Sequence, residues 1–378
     1  MTGDPRPTTR LFSRRADWSA AVNALTLARE ERLRRGERLL DLTVSNPTRV
    51  SLPYPLDELG DAMSRAARQP YDPQPLGIIS AREAVARELD CDAADIVITA
   101  STSEAYSFLF KLLCDPGDAV LTATPAYPLL EHLAMLELIE LHTFPLEFHR
   151  RWELHAERVR EAMTSRTKAI VVVNPNNPTG SYARRDEQDA LASFRAPLIS
   201  DEVFFEYPIA AEAGGATRFI RDGVLTFTLG GLSKSAGLPH YKLGWIRVAG
   251  PDKQRAIAAL ELIADNFLSV STPVQQALPD LLRIGKTIRD TIRERTKRNL
   301  DALRDALPPA ITLLPIEGGW SAVLQVPQTS EDPALAFLER GVLVHPGYFF
   351  DFDREGFIVI SLLTEPHIFD EGVNRIAS

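Results

Sequence analysis

The sequence has little cysteine and no long apolar runs. Cys91 and Cys114 are its only cysteines in 378 residues, too few for the disulfide framework of a secreted protein. No apolar stretch approaches the roughly eighteen residues that suggest a membrane-spanning helix. The N-terminal segment carries charges without a following apolar region, which argues against a secretory signal. We therefore expect a protein of a reducing compartment, with the cytoplasm as the default location.

Positive charge and metal-binding motifs are also scarce. Lysine and arginine total 42 against 51 aspartate and glutamate residues, which gives a net charge of −9. This balance argues against nonspecific binding to nucleic acid or to anionic membranes. The histidines His142, His149 and His155 are spaced so that no pair falls at i, i+4, and no Cys-x-x-Cys occurs. We therefore interpret these histidines as solvated or locally bonded and expect no metal site.

The first part of the chain contains one clear helical pattern. Trp18, Val22, Leu25 and Leu33 recur on one helical face, and Gly36 is expected to end the helix. The residues before this pattern are polar and rich in proline and arginine, which predicts a loose N-terminal arm.

From about residue 80 onward, short apolar strands alternate with helical segments. The strand-like runs lie at 96–98, 119–121, 169–173, 198–200, 224–227 and 245–248. Such alternation predicts an α/β fold with a mostly parallel sheet covered on both faces. A charged amphipathic helix is expected after Pro273 to about residue 306. A smaller α/β unit should follow, with strands at 322–326, 342–344 and 357–362.

These patterns predict three parts of the chain. Residues 1–45 should form an arm and a helix that pack with the smaller unit. Residues 46–272 should form the large domain. Residues 273–378 should form a small C-terminal domain together with its linking helix.

Four polar segments follow predicted strands, and the first is Ser101-Thr102-Ser103-Glu104. Ser101 with Glu104 three residues on is a capping box, which is the favoured interpretation of this segment on its own. The same hydroxyls and the free N–H groups at a helix N-terminus could instead hold a phosphate.

The second segment is the loop Asn174-Pro175-Asn176-Asn177-Pro178-Thr179-Gly180. Asn, Pro and Gly are turn formers, so a plain turn is one interpretation. A rigid loop that points a side-chain amide at the strand ends is the other, because such an amide donates to a phenolate or carboxylate oxygen.

The other two segments contain a carboxylate and a lysine at strand ends. Asp201 closes an apolar strand, and as a buried acid it needs a helix cap, a salt bridge or a cationic ring nitrogen. Lys234 lies in Gly230-Gly231-Leu232-Ser233-Lys234, where the glycine spacing does not fit a phosphate-binding loop of the Walker type. A lysine in a mostly apolar pocket is a candidate for Schiff-base chemistry, since desolvation lowers its pKa.

In this order, the segments resemble those of class I/II aminotransferases, which are pyridoxal-phosphate enzymes of fold type I. The resemblance extends from Asp41 to about residue 372 and is carried by Asn-Pro-x-Asn-Pro-Thr-Gly at 174–180 and Ser-Lys-x-x-Gly-Leu-Pro at 233–239. It implies a large domain with a mostly parallel seven-stranded sheet and a smaller α/β domain. It also implies a homodimer with the site between protomers, and a ping-pong exchange between an amino acid or related amine and a 2-oxo acid.

The resemblance assigns roles to individual residues. Lys234 resembles the lysine that binds the cofactor covalently and moves the substrate proton. Asp201 resembles the partner of the pyridine nitrogen, and Asn177 the donor to the cofactor's O3′ and to the substrate carboxylate. The expected phosphate-binding, ring-stacking and substrate-pocket residues are Ser101, Thr102, Ser103, Ser233, Tyr71 of the neighbouring subunit, Tyr127 and Trp320. The run Val344-His345-Pro346-Gly347 matches a landmark of the family's small domain.

The chain departs from the family pattern at three positions. Lys242 stands where an arginine usually binds the phosphate, and Phe204 stands where a tyrosine usually donates to O3′. Val359 aligns with the arginine that grips the substrate carboxylate in relatives, and valine cannot bind that group. Lys242 itself, Arg247 or Arg49 could substitute, and Arg49 is the preferred candidate; a substrate whose charge lies elsewhere is the alternative.

Two other functions are compatible with parts of this pattern. A lyase or oxidase could use the same cofactor and scaffold, because the fold does not choose among these reactions. The effector half of a transcription regulator is disfavoured, because the roughly forty residues before the first strand are too few for a DNA-binding domain and the net charge has the wrong sign.

Overall fold

The structure is a computed structural model that describes residues 12–13, 15, 23–209, 217–221, 223–327 and 332–378. Trp18 and Val22 of the predicted first helix lie outside these residues. The α-helices of the described chain are α1 Ala24–Arg34, α2 Leu56–Ala66, α3 Ile79–Leu89, α4 Thr102–Leu113, α5 Leu129–Leu136, α6 Ala156–Ala162, α7 Arg185–Ala192, α8 Leu232–Ser235, α9 Lys253–Asp265, α10 Thr272–Ala306, α11 Pro333–Glu339 and α12 Pro366–Ala377. The strands are β1 Leu40–Asp41, β2 Ile96–Thr99, β3 Ala119–Thr124, β4 Glu140–Pro145, β5 Glu147–Phe148, β6 Trp152–Glu153, β7 Thr167–Val173, β8 Leu198–Asp201, β9 Thr226–Gly231, β10 Gly244–Ala249, β11 Thr312–Leu313, β12 Ser321–Gln325, β13 Val342–Leu343, β14 His345–Pro346 and β15 Phe357–Ser361.

A seven-stranded sheet in the order β2-β10-β9-β8-β7-β3-β4 forms the centre of the molecule. Neighbouring strands from β9 to β4 run parallel, and β10 is antiparallel to both of its neighbours. Apolar residues on both faces of this sheet are buried under helices, as parallel sheets require. The predicted mostly parallel α/β sheet is confirmed.

The topology brings several strand ends to one edge of the sheet. Because β10 is antiparallel to both β2 and β9, β2 points in the same direction as the parallel strands. The carboxyl ends of β2, β3, β7, β8 and β9 therefore meet at the same edge, where β10 begins. Open α/β sheets bind their ligands at such an edge.

The edge strand β4 was not predicted from the sequence. Its residues Glu140–Pro145 are mostly exposed or half-buried, and only Phe144 is fully buried. An edge strand with one buried side chain has no continuous apolar run, so the pattern that indicates the central strands is missing.

The C-terminal part forms a second, smaller sheet in the antiparallel order β11-β12-β15-β14. Strand β1 pairs in parallel with β13, and Leu25, Leu40 and Leu42 share a core cluster with Leu324 and Ile358. The N-terminal helix thus contacts the smaller unit, although the proposed boundaries at residues 46 and 273 stay a prediction.

Helix α10 connects the two units, and its predicted length is confirmed. Its early residues Leu281 and Ile288 belong to the core beside the large sheet, while Leu300 and Leu303 belong to the core of the smaller unit. Within the described part of the chain, no helix has both the length and the apolar character needed to cross a membrane.

Candidate active site

A cavity of about 510 Å³ lies at the carboxyl edge of the large sheet, beside the smaller unit. The sequence-predicted residues that line it are Ser101, Thr102, Ser103, Tyr127, Asn177, Asp201, Ser233, Lys234, Lys242 and Trp320. The structure thus brings together segments that are up to 219 residues apart in the chain (Ser101 to Trp320).

At one end of the cavity is the N-terminus of α4. The Ser101 hydroxyl accepts from the Glu104 N–H at 3.2 Å, and the Glu104 carboxylate accepts from the Ala100 N–H at 2.6 Å. The capping interaction predicted for this segment is therefore present. The N–H groups of Thr102 and Ser103 precede the first intrahelical bond, from Ala105 to Ser101, so they have no acceptor within the helix. Cap formation and anion binding are compatible here.

The asparagine-rich loop uses its three amides differently. Asn174 accepts from the Ala183 N–H at 3.0 Å, and Asn176 donates to the Pro125 carbonyl at 3.0 Å and to Thr179 at 2.9 Å. These two amides hold the loop together. Asn177 instead lines the cavity, with a long 3.5 Å contact from the Ser321 hydroxyl to its side-chain oxygen. Its amide N–H groups are therefore the ones positioned for a ligand.

Asp201 is a buried carboxylate at the end of β8. It accepts from the Tyr106 hydroxyl at 3.0 Å and from the Val203 N–H at 3.2 Å. Burial raises its pKa to about 6, and no cationic side chain of the described residues counters this. A buried acid with two neutral donors and no cation is suited to bind a cationic group of a ligand.

Lys234 lies one residue beyond Ser233 in the short helix α8. Its Nζ donates to the Ser45 carbonyl at 3.1 Å and lies 5.1 Å from the centre of the Trp320 ring. Burial lowers the pKa of this amine to about 8. A larger fraction of the amine is therefore neutral, and nucleophilic, near neutral pH than for an exposed lysine.

Aromatic side chains cover the lysine and the mouth of the cavity. Trp320 packs edge-on against Phe204 and Tyr207 with ring centres 5.2 and 5.1 Å apart, and its indole N–H has no partner in the described chain. Tyr127 is 54% exposed, which leaves much of its ring free for stacking against a ligand.

Lys242 is the cation beside the helix N-terminus. It lies two residues before β10, has a left-handed backbone conformation with φ +49°, and lines the cavity. At Gly244 a Cβ atom would lie 3.0 Å from the carbonyl carbon of Ser101. Glycine therefore lets β10 start directly against the N-terminus of α4, and Lys242, two residues before Gly244, lines the cavity at this end.

Two predicted site residues lie elsewhere in the described chain. Tyr71 is 72% exposed and belongs to a separate small pocket with Phe108 and Ser269. Arg49 is exposed at the end of a short 3₁₀ helix and does not line the cavity. Its predicted contact with substrate gains no support from this geometry and stays a prediction.

The sequence interpretation missed two residues of this site. Tyr106 sits among the apolar residues of α4 and was not singled out in the sequence, but its hydroxyl faces Asp201. His345 was noted only as part of a landmark, whereas it lines the cavity. The signal available for Tyr106 was its position, because it places a hydroxyl on an apolar helix face one turn into α4. No comparable signal marked His345.

A hairpin outside the cavity brings Glu147, His149 and His155 together, with ligand atoms within 4.8 Å of one another. The sequence argument weighed only helical spacing and did not anticipate this arrangement. Glu147 is already bound by Arg158 at 2.7 Å and by His149 at 3.2 Å. Because the carboxylate already has a cation, the cluster by itself does not indicate a metal site.

The cavity combines a buried lysine, a carboxylate without a cationic partner among the described residues and a helix N-terminus with open N–H groups, all at one edge of an α/β sheet. Solved structures share this fold. Alanine aminotransferase from Pyrococcus furiosus has a TM-score of 0.84 at 23% identity, covering 97% of this chain and 98% of that chain. A single mutant of aspartate aminotransferase from Thermus thermophilus also has a TM-score of 0.84 at 25% identity, covering 97% and 99%.

The family model "Aminotransferase class I and II" matches residues 40–376, so the chain belongs to this family of enzymes. Aspartate/prephenate aminotransferase of Thermus thermophilus is 28% identical over 380 residues, covering 95% of this chain and 94% of that protein. Nicotianamine aminotransferase 1 of Oryza sativa subsp. japonica is 30% identical over 268 residues, covering 66% of this chain. The match spans about half, 52%, of the rice protein.

Proposed function

We propose that this protein is a pyridoxal-phosphate-dependent aminotransferase. It exchanges an amino group between an amino acid or related amine and a 2-oxo acid in a ping-pong reaction, as the family does. The observation that carries the proposal is that Lys234, with its lowered pKa, and the cation-free carboxylate of Asp201 line the same cavity.

The donor set of the cavity fits this cofactor. A phosphate matches the hydroxyls of Ser101, Ser103 and Ser233 together with the Lys242 amine and the open N–H groups of α4. A protonated pyridine nitrogen matches Asp201, since that carboxylate is buried without a cation. Lys242 offers a point charge where a guanidinium would offer two parallel donors. We therefore expect the orientation of the bound phosphate to be fixed less tightly.

When bound, the cofactor supplies an aldehyde that accepts the amino group and a ring that stabilises negative charge at the substrate carbon. Lys234 is the residue that would bind this aldehyde covalently and, once released by substrate, would move the proton at the substrate carbon. Asp201 would keep the ring nitrogen protonated. Asn177 would donate to the ring oxygen, and Phe204 in place of a tyrosine would leave that oxygen one donor fewer.

The visible absorption spectrum of the loaded protein tests the reaction type. We expect single amino donors, added without oxygen, to remove the visible absorption band of the protein-bound cofactor and to leave the cofactor in its aminated form. A 2-oxo acid should then restore the original band. Keto product and ammonia, formed with the original band regenerated in the absence of a 2-oxo acid, would instead indicate a lyase or oxidase on the same scaffold.

We further propose a homodimer in which Tyr71 completes the phosphate site of the partner subunit. Its 72% exposure and its distance from the cavity of its own chain support a role across an interface. Mixing Tyr71→Ala and Lys234→Ala subunits tests this, because about half the sites in a mixed dimer would then be intact and regain activity. If Tyr71 acts within its own subunit, the mixed dimers have no intact site and stay inactive.

A further inference from the structure

The cavity contains few cations that could meet a substrate carboxylate. Among the described lining residues the cationic side chains are Lys234 and Lys242, with His345 as the only other basic group and no arginine. Lys242 lies at the anion-binding end, and Lys234 is the reacting amine in the proposed function. Among the described residues, the wall formed by the smaller unit therefore has no fixed positive charge.

That wall is built from β14 and β15. In the antiparallel register His345 lies directly opposite Val359, so the two side chains share one face of the sheet. Val359 is 1% exposed and packs in an apolar cluster with Val323, Phe350 and Phe357. The His345 imidazole and a valine thus occupy the surface that faces the cavity. Burial lowers the pKa of His345, against the opposing effects of the Asp41 charge and of a hydrogen bond to the Thr43 backbone.

The hydroxyl groups of this wall are already engaged. Ser361 donates to the Val44 carbonyl at 2.6 Å, and Thr43 donates to the Asp41 carboxylate at 2.6 Å. Ser321 makes the 3.5 Å contact to Asn177. Among the described residues, a carboxylate placed here would find no cation and only neutral donors, namely the Trp320 indole N–H and the Asn177 amide.

The arginines proposed from the sequence do not supply the missing positive charge. Arg247 lies three residues along β10 from the sheet edge and donates to the Leu89 carbonyl at 2.9 Å. Arg49 is exposed and outside the lining. Desolvating a carboxylate without a cation is far less favourable than burying an uncharged polar group, which needs only hydrogen bonds.

We infer that the wall formed by Val359 and His345 selects ligands whose group beside the reacting amine is uncharged, so that the preferred amino donors lack a free α-carboxylate. This inference rests on the proposed function and names its substrate class. Primary amines and amino-acid amides belong to this class. Because the acceptor occupies the same place in a ping-pong reaction, 2-oxo acids should restore the band only at higher concentration than aldehydes or ketones that lack a carboxylate. The aromatic lining from Tyr127, Trp320 and Phe350 adds a preference for apolar side groups on such donors.

A pair of unreactive ligands tests the wall without turnover. We expect calorimetry on the loaded protein to show that 3-phenylpropanamide binds at least about 10-fold more tightly than 3-phenylpropanoate, because only the amide avoids an uncompensated buried charge. Equal binding, tighter binding of the carboxylate, or no measurable binding of either ligand would overturn the inference. Each of these results leaves amino transfer itself standing, since that reaction is tested separately by the cofactor spectrum.

Charge variants of the wall sharpen the test. Val359→Arg should reverse the preference in favour of the carboxylate, whereas Val359→Leu, which adds volume without charge, should keep the preference for the amide. His345→Arg introduces a cation on the same face at a half-buried position and serves if Val359→Arg fails to fold. An unchanged preference in a folded arginine variant would contradict control by this wall.

Discussion

Replacing Lys234 by alanine is expected to lower the amino-transfer rate on the order of 10²- to 10⁴-fold, the range by which a positioned acid–base group accelerates proton transfer. The variant also loses the amine that binds the cofactor covalently. After borohydride reduction, wild-type protein should gain the mass of one reduced cofactor on the peptide that contains Lys234. The alanine variant should gain none.

Lys234→Arg separates the role of the amine from the role of positive charge. Arginine keeps the cation but does not lose its proton in proteins, so it can act neither as nucleophile nor as base. We expect it to be as inactive as the alanine variant. Lys253→Ala removes a lysine that pairs with Asp95 outside the cavity, and it should retain both the label and the rate. A reduced cofactor found on Lys242 instead would contradict the assignment.

The lowered pKa of Lys234 also predicts a pH dependence. The amine loses its proton as the pH rises through about 8, rather than through the ordinary pKa of 10.5 for an exposed lysine. Covalent uptake of the cofactor by the apoprotein should therefore accelerate with rising pH and level off above about 8. In stopped-flow measurements, a plateau reached only near pH 10 or above would show that the amine is solvated.

The large sheet could be predicted from the sequence because its central strands carry an unmistakable signal. Strand β7 contains the run Ala-Ile-Val-Val-Val, and it is buried along most of its length. Residues at the ends of such strands, including Asp201 and Lys234, could be expected at one edge from the general rule for parallel sheets. The motifs then predicted their individual roles through resemblance to a family.

The rest of the site depends on geometry that a linear pattern does not contain. Tyr106 reaches Asp201 because α4 packs across the strand end, and on the sequence alone it is one more aromatic residue on an apolar face. His345 faces the cavity because of its register with Val359. The histidine and glutamate cluster at Glu147 arises from a two-residue strand pairing, which is too short to be recognised by periodicity.

Replacing Asp201 by asparagine is expected to change cofactor binding and protein stability in opposite directions. The folded-state pKa of about 6 lies above the ordinary value of 3.8 for an exposed aspartate, so the folded apoprotein binds this proton more tightly than the unfolded chain does. The ionised carboxylate therefore destabilises the apoprotein above about pH 6, and this effect disappears as the pH falls below about 4. The difference corresponds to up to about 3 kcal/mol.

Urea unfolding of the apoprotein should show Asp201→Asn to be more stable than wild type at pH 7 and similar to it at pH 4. Cofactor affinity should fall on the order of 10²-fold, because the ring nitrogen loses its buried counter-charge. Tyr106→Phe is the matched control: it keeps the carboxylate but removes the hydroxyl that donates to it at 3.0 Å, so it should destabilise the apoprotein at pH 7. Equal loss of stability in Asp201→Asn at both pH values would show that the carboxylate is needed for the fold. The expected opposite shifts would instead mean that the Asp201 carboxylate lowers the stability of the apoprotein but strengthens cofactor binding, because it pairs with the positive charge of the bound ring.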